Sequence, residues 1–262
     1  MKNVVIALLV LSLSGCITVN GYSKFYRATP EVITQMRAAP PPEMPVVMHA
    51  SKFPYAKPFL QQGYVVIGYS SFNSGRIVPD SEAVAQAKKL GADLVVIIDP
   101  SYTGSITSQI PLTTPTSTTS YTNGSATAYG SGSSVTAYGN ATTTTYGSKN
   151  TYIPMTVNRY DYGAVYFVKM KFIFGVRWRP LNTEERQMLQ SNSGLYVDTV
   201  VNDTPAFRSD ILPGDIVEAV NGQKVYDPKE ADDFLSRLKG QSITVTIYRA
   251  GRVLTKNVQL NQ

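Results

Sequence analysis

Leu212-Pro213-Gly214-Asp215-Ile216-Val217, closed a few residues later by Val220-Asn221-Gly222, is the stretch that decides the fold. Pro213-Gly214 marks a turn. Ile216 to Val220 is a short β-rich run, and Asn221-Gly222 suits the left-handed positions of a type I′ turn. Downstream, Asp227 is a natural helix N-cap and Pro228 a natural first residue. Ala231, Leu235 and Leu238 then form one apolar stripe of a helix running to Leu238. Ile243 to Tyr248, a turn at Ala250-Gly251 and Arg252 to Leu260 read as a closing hairpin. Upstream, Gly194 to Val201 reads as a strand, and Thr204-Pro205-Ala206 opens a short helical turn. Asn182 and Glu185 have capping-box spacing for a helix over Thr183 to Leu189. Before that helix stands Phe174-Gly175-Val176.

Taken in this order, residues 172–262 resemble PDZ domains, most closely the type attached to periplasmic trypsin-like (HtrA/Deg-type) proteases. Phe174-Gly175-Val176 resembles the carboxylate-binding loop of that family, in which glycine lets successive N–H groups converge on one anion. The resemblance implies a peptide groove. One wall is the strand Val176-Arg177-Trp178-Arg179, and the other is the helix carrying Ala231, Leu235 and Leu238. Lys169 or Lys171 would assist with the charge. Residues 45–171 contain no nucleophile loop like that of the protease domain that precedes this PDZ type, so the resemblance carries no proteolysis with it.

The expected fold class is α+β. A small N-terminal α/β unit with a long low-complexity insertion precedes a PDZ-type, partly open β-barrel with two helices. The expected boundaries are a signal peptide over 1–15, a lipidated tether with a short helix over 16–44, an α/β domain over 45–171 and the PDZ domain over 172–262. Thr29 and Pro30 start the tether helix and Ala39-Pro40-Pro41-Pro42 stops it. A strand begins near Pro45 to Met48. A stronger strand at Gly63 to Tyr69, a helix from Asp80 or Ser81 to Leu90 and an apolar strand at Asp93 to Ile98 suggest a right-handed βαβ crossover. Tyr160 to Lys171 contains a further strand expected to return to the same sheet.

The insertion, at 100–150, is unlike the rest. Pro100 to Ser148 holds no charged residue and is dominated by Ser, Thr, Gly, Ala and Tyr. Tyr121, Tyr129, Tyr138 and Tyr146 recur through it. Having few large aliphatic side chains, it reads as a flexible or loosely β-structured segment that adds little core.

Met1-Lys2 and the apolar run from Val4 to Leu11 read as a secretory signal, too short to span a membrane. Leu13-Ser14-Gly15-Cys16 resembles the lipobox of bacterial lipoproteins, which implies cleavage before Cys16 and acylation of its thiol. Ile17, rather than Asp, implies outer-membrane delivery under the sorting rule of enteric bacteria, facing the periplasm.

Cys16 is the only cysteine, so no internal disulfide forms, and with His49 the only histidine there is no Cys/His metal cluster. No cofactor and no catalytic residue is expected. A net charge of +6 without a long basic block makes nucleic acid an unexpected partner. The expected function is a membrane-anchored adaptor that binds a protein C-terminus or extended peptide by strand addition, with affinity of roughly micromolar order. The alternative is a structural envelope protein with a non-binding PDZ fold and a functional Tyr/Gly/Ser/Thr-rich surface loop. An enzyme site within 45–171 is a third reading. Oligomeric state is left open.

Overall fold

The computed structural model describes residues 19–29 and 37–262. The signal segment, Cys16 and the greater part of the expected tether helix lie outside the described residues.

The first sheet begins earlier in the chain than its composition suggests. Helix α1 (Gly21–Lys24) is capped by Asn20, whose side chain accepts from the Ser23 N–H. Strand β1 (Tyr26–Ala28) follows. Tyr22 is 1% exposed, so this stretch is part of the folded unit and not a free tether. Next come β2 (Val46–Ala50), α2 (Ala56–Gln61), β3 (Tyr64–Ser74) and α3 (Asp80–Leu90). Helix α3 carries Asp80 and Glu82 in its first turn, where the helix dipole favours them, and stops at Gly91 with φ +65°.

Two strands of 37 residues each, β4 (Leu94–Gly130) and β5 (Ser133–Lys169), form one long hairpin. The sheet order is β1-β3-β5-β4-β2, with β2 parallel to β4 and β1 antiparallel to β3. Met170 donates to the Gly63 carbonyl and Asn73 to Asp161, so β5 runs antiparallel to β3. The expected βαβ unit is therefore split: β5 occupies the place between the two parallel strands. Burial accounts for this. Leu94 to Ile98 and Tyr162 to Val168 are buried throughout, which suits interior strands covered on both faces. Leu94, Val96, Ile98, Val165 and Phe167 face one side, where Phe59 of α2 stacks on Phe167 at 4.6 Å.

Residues Tyr102–Tyr160 separate from the remainder as a compact unit of their own. They are a regular two-stranded ribbon with a turn at Ser131-Gly132, and nearly every residue is exposed. The expectation of a flexible or loosely β-structured segment is thus corrected to an extended hairpin. The expectation that it adds little buried core agrees with its exposure.

The third part comprises β6 (Val176–Pro180), α4 (Thr183–Leu189), β7 (Leu195–Val200), α5 (Pro205–Arg208), β8 (Ile216–Val220), β9 (Gln223–Lys224), α6 (Pro228–Arg237), β10 (Ser242–Arg249) and β11 (Arg252–Gln259). The strand path β11-β10-β8-β7-β6 is open at both ends, with β9 paired to β8. It is an open sheet rather than a barrel, and three helical segments accompany it rather than two. Its turns follow local chemistry. Asn221 and Gly222 take φ of 49° and 76°, as a type I′ turn requires. The Asn182–Glu185 capping box forms, and the Asp227 side chain accepts from Lys229 and Glu230 N–H groups. One apolar core, from Ile173 and Phe174 through Leu195, Val217 and Ile247 to Leu260, holds these elements together.

Candidate functional site

The site is built around Gly175. Its φ is +94°, a conformation that side chains rarely adopt. The carbonyls around it are all engaged. Phe172 accepts from the Asn261 side chain at 2.8 Å, Ile173 from the Asn261 N–H at 3.1 Å, Phe174 from the Ala206 N–H at 2.9 Å and Gly175 from the Val201 N–H at 2.9 Å. The loop is thereby anchored to the C-terminal segment, to α5 and to the end of β7. Among the described residues, no group accepts from the Phe174 or Gly175 amide. Two donors at a fixed turn suit an anion such as a carboxylate.

Beside this loop lies a cavity of about 270 Å³ lined by Met170 to Val176, by Asp232, Asp233, Leu235 and Ser236 of α6, and by Val65 of β3. Strand β6 ends the sheet, so among the described residues its outer edge has no strand partner. A further hollow, lined by Thr29, Ala56, Leu60, Tyr64 to Val66 and Arg177, lies alongside that strand. Val65 borders both hollows. The N-terminal sheet therefore borders the groove at Val65. Two contacts support that placement: Asn202 donates to the Gln61 carbonyl at 2.8 Å, and Lys57 lies 3.9 Å from Asp198.

The residues expected at the groove separate into two groups. Phe174, Gly175, Val176 and Leu235 do line the cavity, while Ala231, Leu238, Trp178 and Arg177 do not. Trp178 is 7% exposed and packs on Phe174 with ring centroids 5.7 Å apart. Its backbone belongs to the groove strand, but its indole belongs to the core. Leu235 is 3% exposed and Leu238 only half-buried, so Leu235 is the deeper core residue. Gly175 is closely confined. A Cβ there would lie 2.1 Å from Thr204 Oγ1, so substitution disturbs the fold along with the amides.

Lys171, Asp232, Asp233 and Ser236 rim the same cavity, and Lys171 is exposed. Of these, only Lys171 was legible. The helical period places Asp232 beside Leu235 and Ser236 beside Asp232, and reading the flank of the apolar stripe would have found them. Val65 carries no local signal, because packing between distant segments brings it in. Asp232 has its pKa pushed up to about 6, first by burial within the groove wall and then by Asp233 and Asp227, against a partial offset from the nearby Trp178 indole N–H. More than a third of Asp232 remains in contact with water, so the cause is a crowded cleft and not a sealed core. On the far side of β6, Arg179 lies 4.0 Å above the Tyr196 ring and chelates Glu185 at 2.6 and 2.8 Å. That Arg179 partner holds the Glu185 carboxyl below its ordinary range. His49 sits apart on β2, 3.5 Å from both Asp80 and Asp99 and half-exposed.

The PDZ domain family profile matches residues 174–260. The magnetosome formation protease MamE of Magnetospirillum gryphiswaldense is 31% identical over 86 residues, which is 31% of this chain and 11% of that protein. The chain thus spans about a tenth of the length of this curated relative. Among solved structures, the HtrA3 PDZ domain bound to a phage-derived ligand (FGRWV) is 24% identical with a TM-score of 0.31, covering 35% of this chain and 86% of that one. The HtrA-type protease AlgW with a decapeptide is 21% identical with a TM-score of 0.31, covering 37% of this chain and 36% of that one. No protease domain is evident beside the match. Residues 174–260 thus match the PDZ domain family.

Proposed function

We propose that this chain is a non-catalytic peptide-binding lipoprotein of the bacterial cell envelope, anchored through Cys16. An extended segment ending in a free carboxylate adds as a strand to the outer edge of β6. Its carboxylate is received by the Phe174 and Gly175 amides, and its last side chain enters the cavity over Val176 and Leu235. The observation that supports this reading is the juxtaposition of two uncommitted amides, an apolar cavity and an unpaired strand edge within one loop and strand. Lys171 adds a positive charge at the rim.

The test uses the full chain and a peptide library, each member with a free or an amidated C-terminus. Ser236 is exposed on the cavity wall, so Ser236→Trp fills the cavity without removing core. Ser236→Trp is expected to abolish binding with unchanged thermal unfolding, and amidation is expected to weaken binding at least tenfold, about 1.4 kcal/mol. Equal affinity for free and amidated peptides would remove the carboxylate role and leave internal-strand recognition.

Binding of a free carboxylate is also expected to depend on pH through Asp232. Its raised pKa, about 6, means that it loses its negative charge as pH falls through that value. Repulsion of the incoming carboxylate then decreases, so affinity rises between neutral pH and pH ~5. Asp233 and Lys171 are the other charged groups on the cavity wall. Asp232→Asn is expected to bind more tightly at neutral pH and to flatten the profile. An unchanged profile in that variant would place the titration elsewhere.

Anchoring is tested separately. Cys16→Ser is expected to yield an unprocessed precursor or soluble protein lacking acyl label. A variant that matures and stays with membranes would rule out lipidation at this residue.

A further inference from the structure

The ribbon Tyr102–Tyr160 poses a physical problem that the groove does not explain. A lone two-stranded hairpin is marginal in water, because neither face has a core. Here such a hairpin continues regularly over the whole unit, exposed on both faces. Among the described residues no other strand lies beside β4 or β5 within it, since β2 pairs with β4 only as far as Ile98.

Its register can be read from side-chain pairs. Thr127 meets Thr136 at 2.9 Å, Thr119 meets Thr144 at 3.3 Å and Thr107 meets Thr156 at 2.8 Å. These are the close, non-hydrogen-bonded pairs of the ladder, alternating with hydrogen-bonded pairs counted from Gly130 and Ser133 at the turn. Odd-numbered residues of β4 and even-numbered residues of β5 therefore share one face, and their amides point out to the free edges.

Three consequences follow. Tyr121, Tyr129, Tyr138 and Tyr146 all stand on that one face, each at least 79% exposed. Ile106, Ile110 and Leu112 stand on the opposite face with Ile153, Met155 and Val157, also exposed. Finally, Pro111, Pro115 and Pro154, the prolines of this unit, all fall at positions whose amide would point outward. They cost the ribbon no internal bond, and they blunt its edges near the base. Beyond Pro115 the edges carry neither proline nor charge as far as Ser148.

We propose that these edges are an assembly surface whose occupant is the same ribbon of a second copy of this chain. Edge-to-edge addition satisfies the outward amides and carbonyls. It also aligns tyrosines with tyrosines and aliphatic side chains with aliphatic side chains. The chain bears a net charge of +6, yet residues 116–148 contribute none of it, so identical copies meet along this part of the edges without repulsion. A charged partner finds no counter-charge. A bilayer alone would leave both edges unsatisfied.

The experiment measures the mass of the full Cys16→Ser chain by light scattering across a wide concentration range. The expected mass is at least twice that of one chain. Thr119→Pro with Asn140→Pro removes two outward amides while keeping the ladder, and is expected to give monomers with undiminished β circular dichroism. Thr118→Pro removes an inward amide and is expected to lose β signal. A chain with Tyr102–Tyr160 replaced by a short Gly/Ser turn is expected to be monomeric, with its remaining unfolding transition retained. The proposal is overturned if the unmodified chain is monomeric, or if oligomers survive either the outward prolines or the excision. It is also overturned if a monomer floats with phosphatidylethanolamine/phosphatidylglycerol vesicles only when the ribbon is present. That result would make the bilayer the occupant.

Discussion

Arg249→Ala is expected to lower the unfolding free energy by about 3–5 kcal/mol, far more than a surface ion pair contributes. The reason lies in the Pro-Gly-Asp turn. Asp215 is 1% exposed, and its carboxylate accepts Arg249 Nε at 2.6 Å, Arg249 Nη2 at 2.8 Å and the Leu212 N–H at 2.8 Å. Arg249 also donates to the Asp210 carbonyl at 2.6 Å, so one guanidinium fastens the loop 210–215 to the end of β10. Truncating it leaves a buried carboxylate with one backbone donor. Asp215→Asn added to Arg249→Ala restores stability relative to Arg249→Ala alone, because the amide oxygen still accepts from Leu212 and the charge is gone. Urea unfolding of both variants measures this. A loss below about 1 kcal/mol for Arg249→Ala would mean that water reaches Asp215 and the pair behaves as an exposed one.

The same turn shows why this domain was legible. Its decisive residues act locally. Asn221-Gly222 adopts the positive φ values that the residue types favour, Asp227 caps the helix it precedes, and Asn182 and Glu185 close their box. The N-terminal sheet was less legible because its order depends on non-local pairing. Nothing local to Tyr162–Val168 says that β5 enters between β3 and β4, and nothing local to Tyr26–Ala28 announces an edge strand. The ribbon lies between these cases. Its composition lacks the aliphatic content that marks a buried strand, so it reads as loose. Yet Tyr121 and Tyr129, like Tyr138 and Tyr146, are separated by eight residues. An even spacing keeps side chains on one face of a strand, and the tyrosine repeat was already the signature of a two-faced ribbon. At the groove, Gly175 was legible from its motif. The division of Leu235 and Leu238 between core and rim was not, because it depends on the packing of α6 against distant parts of the chain.

Gly175→Ala is expected to destabilise the chain by about 3 kcal/mol, through overpacking and left-handed strain together. The added Cβ would lie 2.1 Å from Thr204 Oγ1, 2.2 Å from its Cβ and 2.5 Å from its Cγ2. Thr204 cannot easily withdraw. It is 6% exposed, its hydroxyl donates to the Val201 carbonyl at 2.6 Å, and its backbone starts α5. The φ of +94° adds a cost that space alone cannot relieve. These two contributions are separable. Thr204→Gly removes the three atoms nearest the new Cβ, at its own cost in hydrogen bonding. In that background Gly175→Ala is expected to cost only about 1 kcal/mol, the strain that remains. An equal cost in both backgrounds would show that the loop yields and that Thr204 does not confine it. Peptide affinity follows the same logic. Because the Gly175 carbonyl and amide move together, Gly175→Ala weakens binding in either background, whereas Ser236→Trp abolishes it with the loop undisturbed. Only the second substitution therefore reports on the cavity itself.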